Sequence, residues 1–326
     1  MSEVRTTADQ LKAMLTGGLI PAAPVMFDRN GRFHQRAHEA YVAYMRTQPI
    51  AGVAVWAHTG RGLHLDEVTA RRVIEDWRAA LPNRPIVAGV GTLCHRSNPN
   101  RATAATVAMA SSAAQYGADA LLVYPPFWLN NHGSRDSLIV EHHARLAELG
   151  MPLVLFFLYE AAGGVRYSLS VLDELLALPN VVGIKMATLD SVMTYQDVAA
   201  HIQTHHSDKL LITGEDRFLG YSLRKGARAA LIGLGALCCD LQAELIASHL
   251  EGNAERFLTL SDLVDKLAEV LFVHPIEGYI GRILCALSQL GIIPRDAAYD
   301  PWGPALSSEE IEKIGTHLER VSSVTR

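Results

Sequence analysis

The stretch VVGIKMAT, residues 181–188, sets a single lysine, Lys185, inside an otherwise apolar run of strand length. Continuous apolar character, without a polar residue at every second place, marks a strand covered on both faces, as in a parallel sheet packed under helices. An ammonium group in such a run is costly unless paired or neutralised. Desolvation lowers a lysine pKa and leaves a free amine able to attack a carbonyl. Two readings of Lys185 follow from the pattern alone: a nucleophile held inside the sheet, or a strand-end side chain reaching out to solvent.

Working outward, similar runs occur at residues 19–27, 52–58, 85–91, 120–126, 152–158, 210–215 and 229–237, which with 181–188 makes eight. Amphipathic segments at 34–46, 65–81, 100–116, 134–149, 168–177 and 191–205 alternate with them. Ser168 and Ser191 stand where helix caps belong, and Gly117, Gly150 and Pro179 announce the strand that follows. The alternation predicts an α/β fold, a (β/α)8 TIM barrel, over residues 1–240. An open doubly wound sheet is the competing arrangement, but no GxGxxG follows the first strand. Residues 241–252, 253–273 and 275–290 read as further helices before a polar tail, so 241–326 forms a C-terminal helical extension packed on the barrel or across a subunit contact.

Charge and composition exclude several classes of function. The net charge of -5 comes without any compensating Lys/Arg stripe, which argues against nucleic acid as a partner. No apolar stretch reaches the ~20 residues that span a bilayer, and the N-terminus lacks the basic start and apolar run of a secretory signal; a cytoplasmic protein is expected. Cys94, Cys238, Cys239 and Cys285 form no CxxC pair, so no structural metal is expected. Neighbouring His142 and His143, and His205 and His206, read as surface or helix-end residues, since adjacent helical positions point in different directions.

GIKMAT resembles the GIKxAT strand that carries the Schiff-base lysine of the dihydrodipicolinate synthase and N-acetylneuraminate lyase family. HTGRGLHLDE, residues 58–67, is similar to that family's GTTGE segment and the helix start after it. PIVAGVGT (85–92), GADALLVYPP (117–126), MPLVLFFL (151–158), ITGED (212–216) and GYIGRILCALSQLGI (278–292) follow in the family's order. The resemblance implies a class I lyase in which Lys185 condenses with a pyruvate-like 2-oxo acid, with no cofactor and no metal, in a homo-oligomer (tetramer or dimer). It also implies that Thr59 and Gly60 hold the substrate carboxylate, and that the backbone carbonyl of Ile232 lies beside the substrate.

The departures are as informative. The positions from which the family relays protons through two tyrosines and a threonine correspond here to Phe156, Phe127 and His58. The arginine that holds a second carboxylate in the synthases corresponds to Ala161. True dihydrodipicolinate synthase activity is therefore not expected. His58, Tyr159 and Glu215 are the candidates to restore acid–base chemistry, each also readable as packing, loop surface or capping. Phe127, Phe156 and Phe157, with Trp128 and Tyr124, are expected to line the pocket and hint at an apolar second substrate. Three functions stay open: an aldolase or dehydratase, a catalytically degenerate homologue that binds an oxo acid or sugar acid, and a phosphate-binding isomerase barrel. The last requires a phosphate grip after strands seven and eight, of which GLGAL (233–237) is a faint echo.

Overall fold

A computed structural model describes residues 6–324. Eight parallel strands, β1 (Leu19–Pro21), β2 (Val53–Val55), β3 (Ile86–Val90), β4 (Ala120–Val123), β5 (Leu153–Leu158), β6 (Val181–Ala187), β7 (Leu210–Thr213) and β8 (Ala229–Ile232), pair in sequence order, with β8 returning to β1. Closure between β1 and β2 rests on Ala23 N–H donating to Ala54 O at 2.9 Å and Ala51 N–H to Leu19 O at 2.8 Å. The expected (β/α)8 barrel is therefore the fold.

Two apolar layers follow from strand alternation. One face of each strand packs against the outer helices, with Val55, Leu121, Leu155 and Ile184 among the contributors. The other fills the barrel, where Ile20, Ala54, Leu122, Phe156 and Leu231 meet. Helix Ala8–Leu15, which the apolar pattern did not announce, sends fully buried Leu11 and Leu15 into this inner cluster.

Several strands are shorter than their apolar runs. β2 stops because Trp56 adopts φ 54°, a left-handed conformation incompatible with extended pairing, and β8 gives way to a single helical turn at Leu234–Ala236. Helix Leu169–Leu176 is capped by Ser168, whose side chain accepts from Val171 N–H. Ser191 occupies the corresponding position before Val192–His205 but makes no capping bond, because its hydroxyl lies 2.7 Å from Thr194 Oγ1.

Helix Cys239–Leu250 packs beside β1 in the outer ring, so residue 240 falls in its first turn. Helices Ala254–Leu271 and Tyr279–Gln289 follow, and the segment read as a polar tail contains a further helix, Ser308–Val324, held to the preceding one by Arg282 Nε and Glu310 Oε1 at 3.0 Å. Among the described residues no single helix is long and apolar enough to cross a membrane. His142 and His143 are a correction to their surface reading. Both are buried, with Nδ1 atoms 2.9 Å from Thr103 Oγ1 and 2.8 Å from Ile139 O, and burial pulls the His143 pKa down to about 4.

Candidate active site

Lys185 lies on the inner face of β6, paired in register with Phe156 of β5. Its amine sits 4.3 Å from the centre of the Phe156 ring, and among the described residues no carboxylate comes within 4 Å. Gly214, just past β7, makes room for it: a Cβ there would stand 2.7 Å from Lys185 Cε. The side chain is 5% exposed, so the reading of a lysine reaching solvent does not describe it. Burial pulls the amine down to about 8, opposed by the negative charges of Asp216 and Glu215.

Those two acids act differently. Glu215 is fully buried and accepts from Thr188 N–H at 2.6 Å, Thr188 Oγ1 at 2.9 Å and Leu189 N–H at 2.9 Å. With its oxygens occupied by that turn, it fixes the backbone beyond β6 and does not line the lysine cavity. Asp216 does line it, while also accepting from Leu234 N–H at 2.6 Å; burial pushes its carboxyl upward.

The segment after β2 supplies the opposite wall. His58–Gly60 forms one helical turn, and Gly60 is required by close approach, since a Cβ would come 2.7 Å from Ala23 O. The Gly60 N–H donates to Ala57 O at 2.9 Å, which withdraws it from the expected carboxylate grip. Thr59 does face the lysine cavity, and its hydroxyl is 3.0 Å from the Tyr279 hydroxyl.

Tyr279 and Glu277 are the residues that sequence reasoning missed. Both come from the C-terminal extension, 219 and 220 positions from His58 and Thr59 and, for Glu277, 118 from Tyr159, separations at which no local pattern reports contact. The carboxylate of Glu277 meets His58 Nε2 at 3.1 and 3.0 Å, Arg61 Nη1 at 3.2 Å and the Tyr159 hydroxyl. Burial opposes its charge, but bonds from His58 and Tyr159 and the nearby Arg61 hold its pKa at about 2. Arg61 is anchored in turn by Asp300, through bonds of 3.2 and 2.7 Å. The His58 ring stacks on Tyr279 at 6.2 Å, and Tyr279 on Phe272 at 4.8 Å. Burial raises the Tyr279 pKa well above the usual phenol value, so the group is a neutral donor and acceptor.

The cavity on the amine is small, about 20 Å3, and His58, Thr59, Phe156, Tyr159, Asp216 and Tyr279 contribute to its wall. Two expected neighbours lie elsewhere. Phe127 lines a separate cavity of about 250 Å3 next to Arg61 and Arg96. Ile232 points its side chain into the outer layer and uses its carbonyl to accept from Ala22 N–H at 2.9 Å, while Leu231 is the inward residue. Trp128 packs on buried His142, with rings 5.3 Å apart. Away from the strand ends, His201 and His206 both place Nε2 2.6 Å from Asp173 Oδ1, a histidine–carboxylate cluster outside the barrel that spacing did not announce.

Eight parallel strands inside a ring of helices, with a desolvated amine near the carboxyl end of the sixth, define the class: a (β/α)8 barrel built around a lysine. The chain belongs to the dihydrodipicolinate synthetase family, whose sequence model matches residues 15–320. This is a family of class I aldolase-type lyases. The chain is 27% identical over 300 residues to the 4-hydroxy-tetrahydrodipicolinate synthase of Phenylobacterium zucineum, covering 91% of this chain and 95% of that protein. In fold it is similar to a dihydrodipicolinate synthase from Agrobacterium tumefaciens, with a TM-score of 0.81 at 22% identity over 95% of this chain and 99% of that one. It is likewise similar to N-acetylneuraminate lyase from Mycoplasma synoviae, with a TM-score of 0.75 at 18% identity over 95% and 97% of the two chains.

Proposed function

We propose that the protein is a lyase that forms a Schiff base between Lys185 and a pyruvate-like 2-oxo acid, and that it is not a dihydrodipicolinate synthase. The observation that carries this is the buried amine, held near a pKa of 8 with no direct ion pair, beside the Thr59 hydroxyl in one cavity. A neutral lysine attacks the C2 carbonyl, and loss of water from the carbinolamine gives an iminium ion. That iminium takes up the electron pair released when a bond to the neighbouring carbon chain breaks, giving an enamine. Protonation at C3 and hydrolysis return the amine and the 2-oxo acid.

Proton transfer falls to groups of the C-terminal extension together with His58 after β2 and Tyr159 after β5. The Tyr279 phenol, bonded to Thr59, stands where a hydroxyl can serve the carbinolamine and the leaving oxygen. The His58–Glu277–Tyr159 cluster links the same cavity to a carboxylate held ionised. Phe156 provides a ring face to the cation and no proton.

One observation favours a second reading. A cavity of about 20 Å3 has space for a single water, so a 2-oxo acid enters only if its walls part. A degenerate homologue would keep them closed. Borohydride reduction in the presence of pyruvate separates the two: the lyase gains the mass of a reduced pyruvyl group on Lys185, and Lys185→Ala does not.

A further inference from the structure

A second cavity of about 750 Å3 adjoins the lysine cavity, and Leu158, Tyr159, Leu189 and Phe272 line both. It is far larger than the space on the amine and of a size that encloses an extended organic molecule rather than a three-carbon acid alone. It lies beyond the ends of β5, β6 and β7, the end of a (β/α)8 barrel at which active sites sit.

Its chemistry is graded from inside to outside. The residues shared with the lysine cavity are three apolar side chains and one tyrosine, whose hydroxyl is already bonded to Glu277. Val273 and Ile276 continue that apolar wall. The charged residues, Glu160, Arg166, Asp190 and Arg217, are all exposed and stand at the outer rim. Arg217 Nη1 donates to Phe272 O at 3.1 Å, and Arg166 Nη2 to Thr194 Oγ1 at 3.3 Å. The remaining polar residues of the wall are already engaged or lie outside: the Thr188 hydroxyl donates to Glu215 at 2.9 Å, the Ser191 and Thr194 hydroxyls share a 2.7 Å bond, and His274 is exposed. Substrate carbons beyond C4 therefore meet mainly hydrocarbon, and a hydroxyl left there without a partner would cost about 1–3 kcal/mol. A site built for a polyhydroxylated chain would need the reverse arrangement.

We infer, resting on the Schiff-base reading above, that the substrate is a 2-oxo acid bearing a ring-sized apolar group, such as an aryl ring, at C4. In the cleavage direction a 4-hydroxy-4-aryl-2-oxobutanoate forms the iminium at Lys185 and the C3–C4 bond breaks. Its electron pair passes to the iminium to give the enamine, the C4 hydroxyl proton goes to the relay, and an aryl aldehyde leaves. The enamine then takes a proton at C3, and water releases pyruvate.

The test compares rates of borohydride trapping at Lys185 with three probes: pyruvate, 4-phenyl-2-oxobutanoate, and a 2-oxo acid hydroxylated at C4 to C6. The expected result is at least tenfold faster trapping of the phenyl compound than of the polyhydroxylated acid. Leu189→Asn should lower that ratio at least fivefold; Leu189 has φ 54°, which asparagine tolerates, so the variant is expected to fold. Adducts on Lys185 with all three probes but no preference for the phenyl compound would overturn the substrate class and leave the Schiff base standing. No adduct with any probe would overturn both.

Discussion

Lys185 and Asp216 line one cavity without a direct ion pair; burial pulls the amine down and pushes the carboxyl up, and each charge partly offsets that shift in the other. With the amine at about 8, roughly a tenth is neutral at pH 7, and trapping by a 2-oxo acid should rise as pH climbs through 8. Asp216→Asn removes a negative charge that favours the ammonium. The lysine pKa falls, and the rise moves to lower pH; stopped trapping assays from pH 6 to 9 check the direction. Tyr279 belongs at this scale too. Tyr279→Phe keeps the ring stacked between His58 and Phe272 but removes the hydroxyl. Turnover should fall by about 10²–10⁴-fold with KM little changed, whereas a purely structural role would leave kcat near that of the parent protein. Lys185 and Thr59 were singled out from the sequence and both line the cavity, whereas Tyr279 and Asp216 were not singled out. His58 and Tyr159 were among the replacements the sequence suggested for the missing relay, and both meet Glu277; Glu215, suggested with them, is bound to the turn after β6 instead.

At the scale of elements, the site is a meeting of the loop after β2 with the short turn Ile276–Gly278. Arg61 joins them, binding Glu277 on one side and Asp300 on the other, with 7% of its side chain exposed. Arg61→Ala leaves Asp300 buried without its counter-charge, and loss of a buried partner typically costs about 3–5 kcal/mol. Urea denaturation should show a loss of that order, together with slower turnover as Glu277 loses its clamp. Strand and helix identities were readable because burial on both faces of a strand and on one face of a helix leaves a period in the sequence. Strand ends were not. β2 ends in a bulky residue at positive φ, Trp56, and no composition signals that. The extension was visible as helices, but its function was hidden, because Glu277 and Tyr279 meet their partners only once the barrel has closed.

For the whole molecule, the barrel holds a buried amine, and the C-terminal segment folds back to bring Glu277 to His58 and Tyr279 to Thr59. Within the chain His58 and Tyr159 meet Glu277, and Thr59 meets Tyr279. The most direct measurement is peptide mapping after borohydride reduction with pyruvate and 4-phenyl-2-oxobutanoate, on the full chain and on Lys185→Ala. A reduced adduct confined to the peptide containing Lys185, and absent from the variant, is the expected result. Well-folded protein that carries no adduct on Lys185 at any pH between 6 and 9 would contradict the Schiff-base chemistry and leave a barrel that binds without reacting.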